Sequence, residues 1–248
     1  IEVVNLSSWH YRMSSTSNIL GRFHHQIIPN GINLGIFKKI DKLAARRIFN
    51  LPPNKQIILF VADNIENKKK GFDYLLQALE RFDPERYLLV VVGSGKPVSA
   101  SLPTRCLNFI GDDRLLAAAY SAADVYVIPT LEDNLPNTVL EAMGCETPVV
   151  GFNVGGLPDM IKPNKTGLLA RMGDAQDLSL KIQCLLEDEE FRLLLGKNAR
   201  SVAEKEYNIQ IQTRKYIQLY EEVLKHTDQI ARDAKLDPSN GKLVRTIQ

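Results

Sequence analysis

Four short apolar runs limit what this chain can fold into: Ile57–Val61, Leu88–Val92, Val125–Ile128 and Pro148–Val150. None of them alternates polar with apolar residues. An unbroken run of this length marks a strand covered on both faces, as in a parallel sheet layered between helices. Helical patterns lie between and after the runs. Phe72, Leu75, Leu76 and Leu79 form one stripe, Leu178, Ile182, Leu185 and Leu186 a second, and Tyr216, Leu219, Tyr220 and Val223 a third. Asp112 or Asp113 can cap a helix through the AAAYSAA segment. Strand and helix alternate from about residue 57 to about residue 170, which predicts an α/β fold with a doubly wound, Rossmann-like parallel sheet.

The flanks differ. Glu2–Leu6 suits a strand, Ser8–Leu20 a polar helix, and IIPNG at 27–31 a short strand and turn. Residues 1–26 therefore look like the last unit of a preceding domain plus a linker. Residues 27–226 form the main domain, and 227–248, with little periodicity and a DPSNG stretch, a loose tail. The first residue is not Met, which suggests a piece of a longer protein.

Composition narrows the function classes. The chain is 44% hydrophobic and 24% charged, enough for a sizeable core. Its formal net charge of +2 does not suggest a nucleic-acid binder. Cys106, Cys145 and Cys184 are far apart and odd in number, so they read as small core residues in a reducing compartment. His24 and His25 lack spaced partners, so no metal site is indicated. No run reaches the ~18 apolar residues of a spanning helix, and no secretory leader pattern opens the chain.

Ligands of open α/β sheets bind beyond the carboxyl ends of the strands. After the first run, Lys68, Lys69 and Lys70 precede Gly71 and a helix. This fits a solvated loop or an anion site. It is not a P-loop, because the spacing is wrong. After the second run, Gly93 and Gly95 fit a plain strand-exit turn. After the third, Glu132 and Asp133 precede Pro136, which suits a first helical turn. Asp133 can cap that helix, but capping leaves Glu141 unexplained. From Asn137 to Glu141 is about one turn, so Glu141 can share the side of the helix mouth. Carboxylates there can take several hydroxyls, and free N–H groups an anion: together, a sugar nucleotide. After the fourth run, Gly155 and Gly156 open another helix, with Pro158 and Asp159, and permit close approach to a ligand or neighbouring backbone.

These residues resemble a known family. Asp133, NLPNTVL, Glu141 and AMGCETPVV follow one another, beside IPNG at 28–31, KG at 70–71, YSAADVYVIPT at 120–130 and GGLPDMI at 155–161. Over about residues 1–225 the chain is similar to the C-terminal, donor-binding half of retaining group 1 family glycosyltransferases, which have the GT-B fold. The resemblance implies a hexosyltransferase-like enzyme, incomplete as this chain alone. Its donor is a nucleoside diphosphate sugar. Its acceptor, a sugar, lipid or other molecule, is read by an N-terminal domain of which 1–26 is a remnant. A nucleotide-sugar-binding module without turnover is the alternative. The resemblance implies no cofactor, no metal and no nucleic-acid partner, and a cytoplasmic protein, with peripheral contact at the inner membrane face as the only membrane role.

The resemblance also assigns residues. Glu141 holds the ribose, Asp133 or its neighbour Glu132 the transferred sugar, and Lys70 the diphosphate, with Gly71 completing the turn. The backbone of Asn134 and Leu135, and the helix mouth at Pro136 and Asn137, approach sugar or phosphate. Ile110 and Gly111 lie near the base. Departures are Asp133 where the family more usually has Glu, Ile65 in place of an arginine, with Lys68 or Lys69 as substitute charge, and Asn33 in place of Asp.

Overall fold

The computed structural model describes residues 1–96 and 100–236. A small parallel pair comes first: β1 (Glu2–Asn5), α1 (Ser8–Ser15) and β2 (His24–Ile27). There follow α2 (Lys42–Ile48), β3 (Gln56–Asn64), α3 (Phe72–Ala78), β4 (Tyr87–Ser94), β5 (Thr104–Cys106), α4 (Asp113–Ala122) and β6 (Val125–Ile128). The chain closes with α5 (Asn137–Gly144), β7 (Val149–Phe152), α6 (Leu157–Met160), β8 (Gly167–Ala170), α7 (Ala175–Glu187), α8 (Glu189–Glu206) and α9 (Ile209–Leu236).

The main sheet is six-stranded and parallel, in the order β5-β4-β3-β6-β7-β8. The four apolar runs lie in its four central strands. Alternate residues explain why the runs are unbroken. Ile57, Leu59, Val90, Tyr126, Ile128 and Val149 pack into one core, whereas Ile58, Phe60, Val91, Val127, Val150 and Phe152 pack into the other. Each strand is therefore buried on both sides, and each such side chain adds about 1.5–3 kcal/mol.

The chain winds outward from β3 to β5, returns to β6 and winds the other way. The switch point lies between the carboxyl ends of β3 and β6. This is where such a sheet opens a crevice, because the loops leave in opposite directions. The Lys68–Lys70 loop and the residues 129–136 stand on its two sides.

Several local expectations change. Asp112 caps α4, accepting from the Arg114 and Leu115 N–H groups. Helix α1 ends at Ser15, short of Leu20. Of the α9 stripe only Leu219 is buried; Tyr220 and Val223 are exposed. Helix α9 runs to Leu236, so the first ten residues of the expected loose tail continue a helix, and 237–248 lie outside the described residues. Cys145 is buried as expected, but Cys106 and Cys184 are exposed, because β5 is an edge strand and Cys184 stands on the outer face of α7. The exit turn after β4 follows Ser94, and 97–99 lie outside the described residues.

Candidate functional site

A cleft of about 260 Å³ opens at the switch point. It is lined by the end of β3, Lys70, Ile128, Asp133 and residues 136–138. A larger depression between α3 and α7, about 440 Å³, lies away from these strand ends.

Lys70 reaches the cleft because of the turn that carries it. Lys68–Lys70 form one turn of 3-10 helix, capped by the Asn67 side chain. Gly71 ends it at φ +70. A Cβ there would overlap the Pro129 carbonyl oxygen, so glycine is required twice, by conformation and by space. The loop after β6 is tied to the same turn: Leu131 N–H and Thr130 Oγ1 both donate to the Lys69 carbonyl, at 2.8 and 3.0 Å. Outside the cleft, Lys69 pairs with Glu132 at 2.8 Å, both side chains exposed.

Lys70 Nζ lies 3.1 Å from Asp133 Oδ2. Asp133 is therefore not the helix cap that its position suggested. Helix α5 starts at Asn137, after an extended Pro136, and no side chain caps it. Asp133 is too far back along the chain to serve as cap, and a cation stands beside it instead. The first-turn N–H groups of α5 thus keep their positive end free of any side-chain cap, next to a lysine.

A second loop braces Asp133 and Asn134 from behind. The Gly156 N–H donates to the Asp133 carbonyl at 3.1 Å. A Cβ on Gly155 or Gly156 would overlap the carbonyl oxygens of Asp133 or Asn134. The close approach expected of this glycine pair is to a neighbouring backbone. Ser7 Oγ donates to Asn134 Oδ1 at 2.6 Å, and Ser8 Oγ to Asp159 Oδ1 at 2.6 Å. Asn30 Nδ2 donates to Asn137 Oδ1 at 3.1 Å. Leu135 is buried beneath the loop.

Glu141 sits one turn along α5, outside the residues that line the cleft. Tyr120 donates its hydroxyl to Glu141 Oε2 at 2.9 Å. Burial pushes the Glu141 carboxyl up to about 7; the Tyr120 hydrogen bond pulls it down and Asp113 pushes it further up. Burial raises the Tyr126 phenol, the neighbouring Thr138 pulls it down, and Glu141 and Asp133 push it further up; by distance and angle its oxygen has no hydrogen-bond partner among the described residues. Ile110 and Gly111, between β5 and α4, are not brought to the cleft wall. Among the described residues no group of three or more His, Cys, Asp or Glu stands together, and no helix is long and apolar enough to cross a membrane.

Glu141 supports a prediction on stability. Its ordinary value is 4.5 and its folded value about 7, so between these the folded state holds a proton that the unfolded state has lost. Stability from this group falls as pH rises through that window. Glu141→Gln removes the loss. Urea titrations should show the variant gaining on the parent by about 2–3 kcal/mol between about pH 5 and about pH 8. A constant difference would contradict the buried, hard-to-ionise carboxyl.

Residues 55–188 match the profile of the family described as Glycosyl transferases group 1. That span is more than half of the chain. The chain belongs to the group 1 glycosyltransferases. It is 33% identical over 173 residues to the D-inositol 3-phosphate glycosyltransferase of Corynebacterium aurimucosum, covering 62% of this chain and 40% of that one. The sucrose-phosphate synthase of Thermosynechococcus elongatus superposes with a TM-score of 0.81 at 28% identity, over 91% of this chain and 59% of that one. Anabaena Alr3699/HepE, solved with UDP-glucose, superposes at 0.73 and 18% identity, over 88% and 63%. The doubly wound sheet is thus that of the GT-B glycosyltransferases. The chain spans about a third to a half of the length of the curated relatives it matches.

In this group 1 glycosyltransferase the sequence reading overlooked Ser7, Asn30, Thr138 and the hydroxyl of Tyr120. One signal was present: a tyrosine among buried alanines needs a partner for its O–H.

Proposed function

We propose that the cleft at the switch point holds the diphosphate of a nucleoside diphosphate sugar, and that the chain is the donor-binding part of a retaining sugar transferase. The observation that carries this reading is the convergence of Lys70 with the uncapped start of α5. Two sources of positive potential meet in one small cleft, which suits a departing diphosphate. Asp133 or Glu132 orients the transferred sugar, Glu141 the ribose, and the Ile110–Gly111 backbone lies toward the base. Neither Asp133 nor Glu141 acts as a nucleophile. Lys70 and the helix start supply the positive charge that balances the leaving group. A neighbour of this fold was solved with UDP-glucose, so the fold can hold such a donor; base, sugar and acceptor are not read from that likeness.

Residues 27–226 form the donor unit in this reading. Residues 1–26 belong to the adjoining acceptor-side unit, consistent with their separate two-stranded sheet. The acceptor is a sugar, a lipid or another hydroxyl-bearing molecule bound mostly outside this chain. The span of the chain relative to its relatives favours a second reading for the isolated chain: donor binding without turnover. Three unpaired cysteines suit a cytoplasmic protein, in contact with the inner membrane face at most peripherally.

A thermal-shift screen tests the reading. A donor present at about a hundred times its Kd adds about 2.7 kcal/mol, a rise of about 5–10 °C for a chain of this size. At least one nucleoside diphosphate or its sugar should give such a rise. No rise with uridine, guanosine, adenosine or thymidine diphosphates and their sugars would reject it.

A further inference from the structure

Tyr120 is wholly buried in α4, among Ala117, Ala118, Ala119 and Ala122. Both of its ends are fixed. Its ring stands edge-on to Tyr126, with centroids 5.4 Å apart and planes at 90°. Its carbonyl accepts from Thr147 Oγ1 at 2.8 Å, across to the segment after α5. Its hydroxyl donates to Glu141 Oε2. Glu141 Oε1 has no hydrogen-bond partner among the described residues, and the residue is half-buried rather than free in solvent. A carboxylate with one oxygen occupied by a rigid donor and the other open has a fixed direction for accepting a ligand hydroxyl.

We propose that Tyr120 is a positioning residue: its phenol locks the Glu141 carboxylate so that Oε1 faces the nucleotide's ribose hydroxyls. This rests on the reading of Glu141 as the ribose acceptor. It also couples nucleotide binding to the proton on Glu141. Ribose hydroxyls favour the ionised carboxylate, and the Tyr120 hydrogen bond lowers the pH at which that form appears. The neighbouring groups leave Glu141 as the one that changes near neutrality. Asp113, also from α4, pushes Glu141 up. Tyr126 from β6 and Cys145, just after α5, are held neutral, because burial raises both. Arg200 from α8 is engaged with the Phe37 and Gly144 carbonyls and with Glu204. Strand β7 brings no titratable side chain.

The test is calorimetry on the whole chain with the glucose esters of uridine, guanosine and adenosine diphosphates, whose bridged phosphates do not titrate between about pH 6 and about pH 8.5. For the nucleotide that binds, Kd of the parent should fall with rising pH and then level off. Tyr120→Phe should move the midpoint up by about half a unit to one unit. It should weaken binding near pH 7 about fivefold, and part of that loss should remain at the alkaline end, where Glu141 is ionised but no longer held in place. A merely structural role would lower the melting temperature without moving the midpoint, and that result in a folded variant overturns the proposal. Should Tyr120→Phe not fold, Glu141→Gln decides: its binding should lose the pH dependence, and a retained dependence overturns the coupling. Absence of binding by the parent to any of the three overturns the donor-site reading and this inference with it. Binding by the parent with an unmoved Tyr120→Phe midpoint overturns the inference alone.

Discussion

Gly71→Ala is expected to destabilise the protein by about 3 kcal/mol or more, and to abolish nucleotide binding in whatever fraction remains folded. Two costs add. A side chain at φ +70 is strained by about 1 kcal/mol relative to glycine. The new Cβ would also overlap the Pro129 carbonyl oxygen, so the KG turn must separate from the loop after β6. That loop hangs on the same turn through Leu131 and Thr130, which bond the Lys69 carbonyl. Separation therefore misplaces Lys70 and Asp133 together. Urea denaturation measures the first effect and calorimetry the second. A variant as stable as the parent, with unchanged affinity, would show that the two loops are not locked in this way.

Lys70→Ala is expected to weaken nucleoside diphosphate binding by about tenfold to about 150-fold, with little loss of stability. A charge-assisted bond to phosphate is worth about 1.5–3 kcal/mol, which sets that range. The substitution also leaves Asp133, with only 17% of its side chain exposed, without its cationic partner. A bare carboxylate in the cleft then repels the diphosphate. Removing that charge as well should recover part of the loss, so Lys70→Ala/Asp133→Asn should bind more tightly than Lys70→Ala alone. Titration of both variants checks this. If the double variant binds no better than the single one, the unpaired Asp133 carboxylate does not repel the diphosphate, and Asp133 and the diphosphate do not share one cleft.

The fold was legible where burial is two-sided. Strands β3, β4, β6 and β7 are covered on both faces, so their side chains run apolar without interruption and announce themselves. Strand β5 was not legible, because an edge strand of three residues, two of them exposed, carries no such run. Helix α2 was hidden by its composition: KLAARRI reads as polar, yet Arg46 is buried and bonded to Asp124 at 2.8 Å. At the site, placement after a strand pointed to the Lys68–Lys70 loop and to Glu132 and Asp133; the family resemblance picked Lys70 and Asp133 from among them. The local pattern also allowed Asp133 as a cap, because an acidic residue ahead of a proline-led helix resembles one; the structure leaves that helix uncapped and gives Asp133 the Lys70 ammonium instead. The bonds Ser7–Asn134 and Asn30–Asn137 join residues more than a hundred positions apart, and spacing along a chain carries no trace of them. Tyr120 fell between: its helix was foreseen, but its hydroxyl was not given a partner.

The central claim is that Lys70 and the start of α5 together hold a diphosphate. Its most direct test is one calorimetric comparison: nucleoside diphosphate against the matching monophosphate, on the parent and on Lys70→Ala. The parent should prefer the diphosphate by at least about tenfold, as one charge-assisted contact to the second phosphate would provide, and Lys70→Ala should lose most of that preference. Equal affinities for the two nucleotides in the parent, or a preference that survives in Lys70→Ala, would contradict the claim.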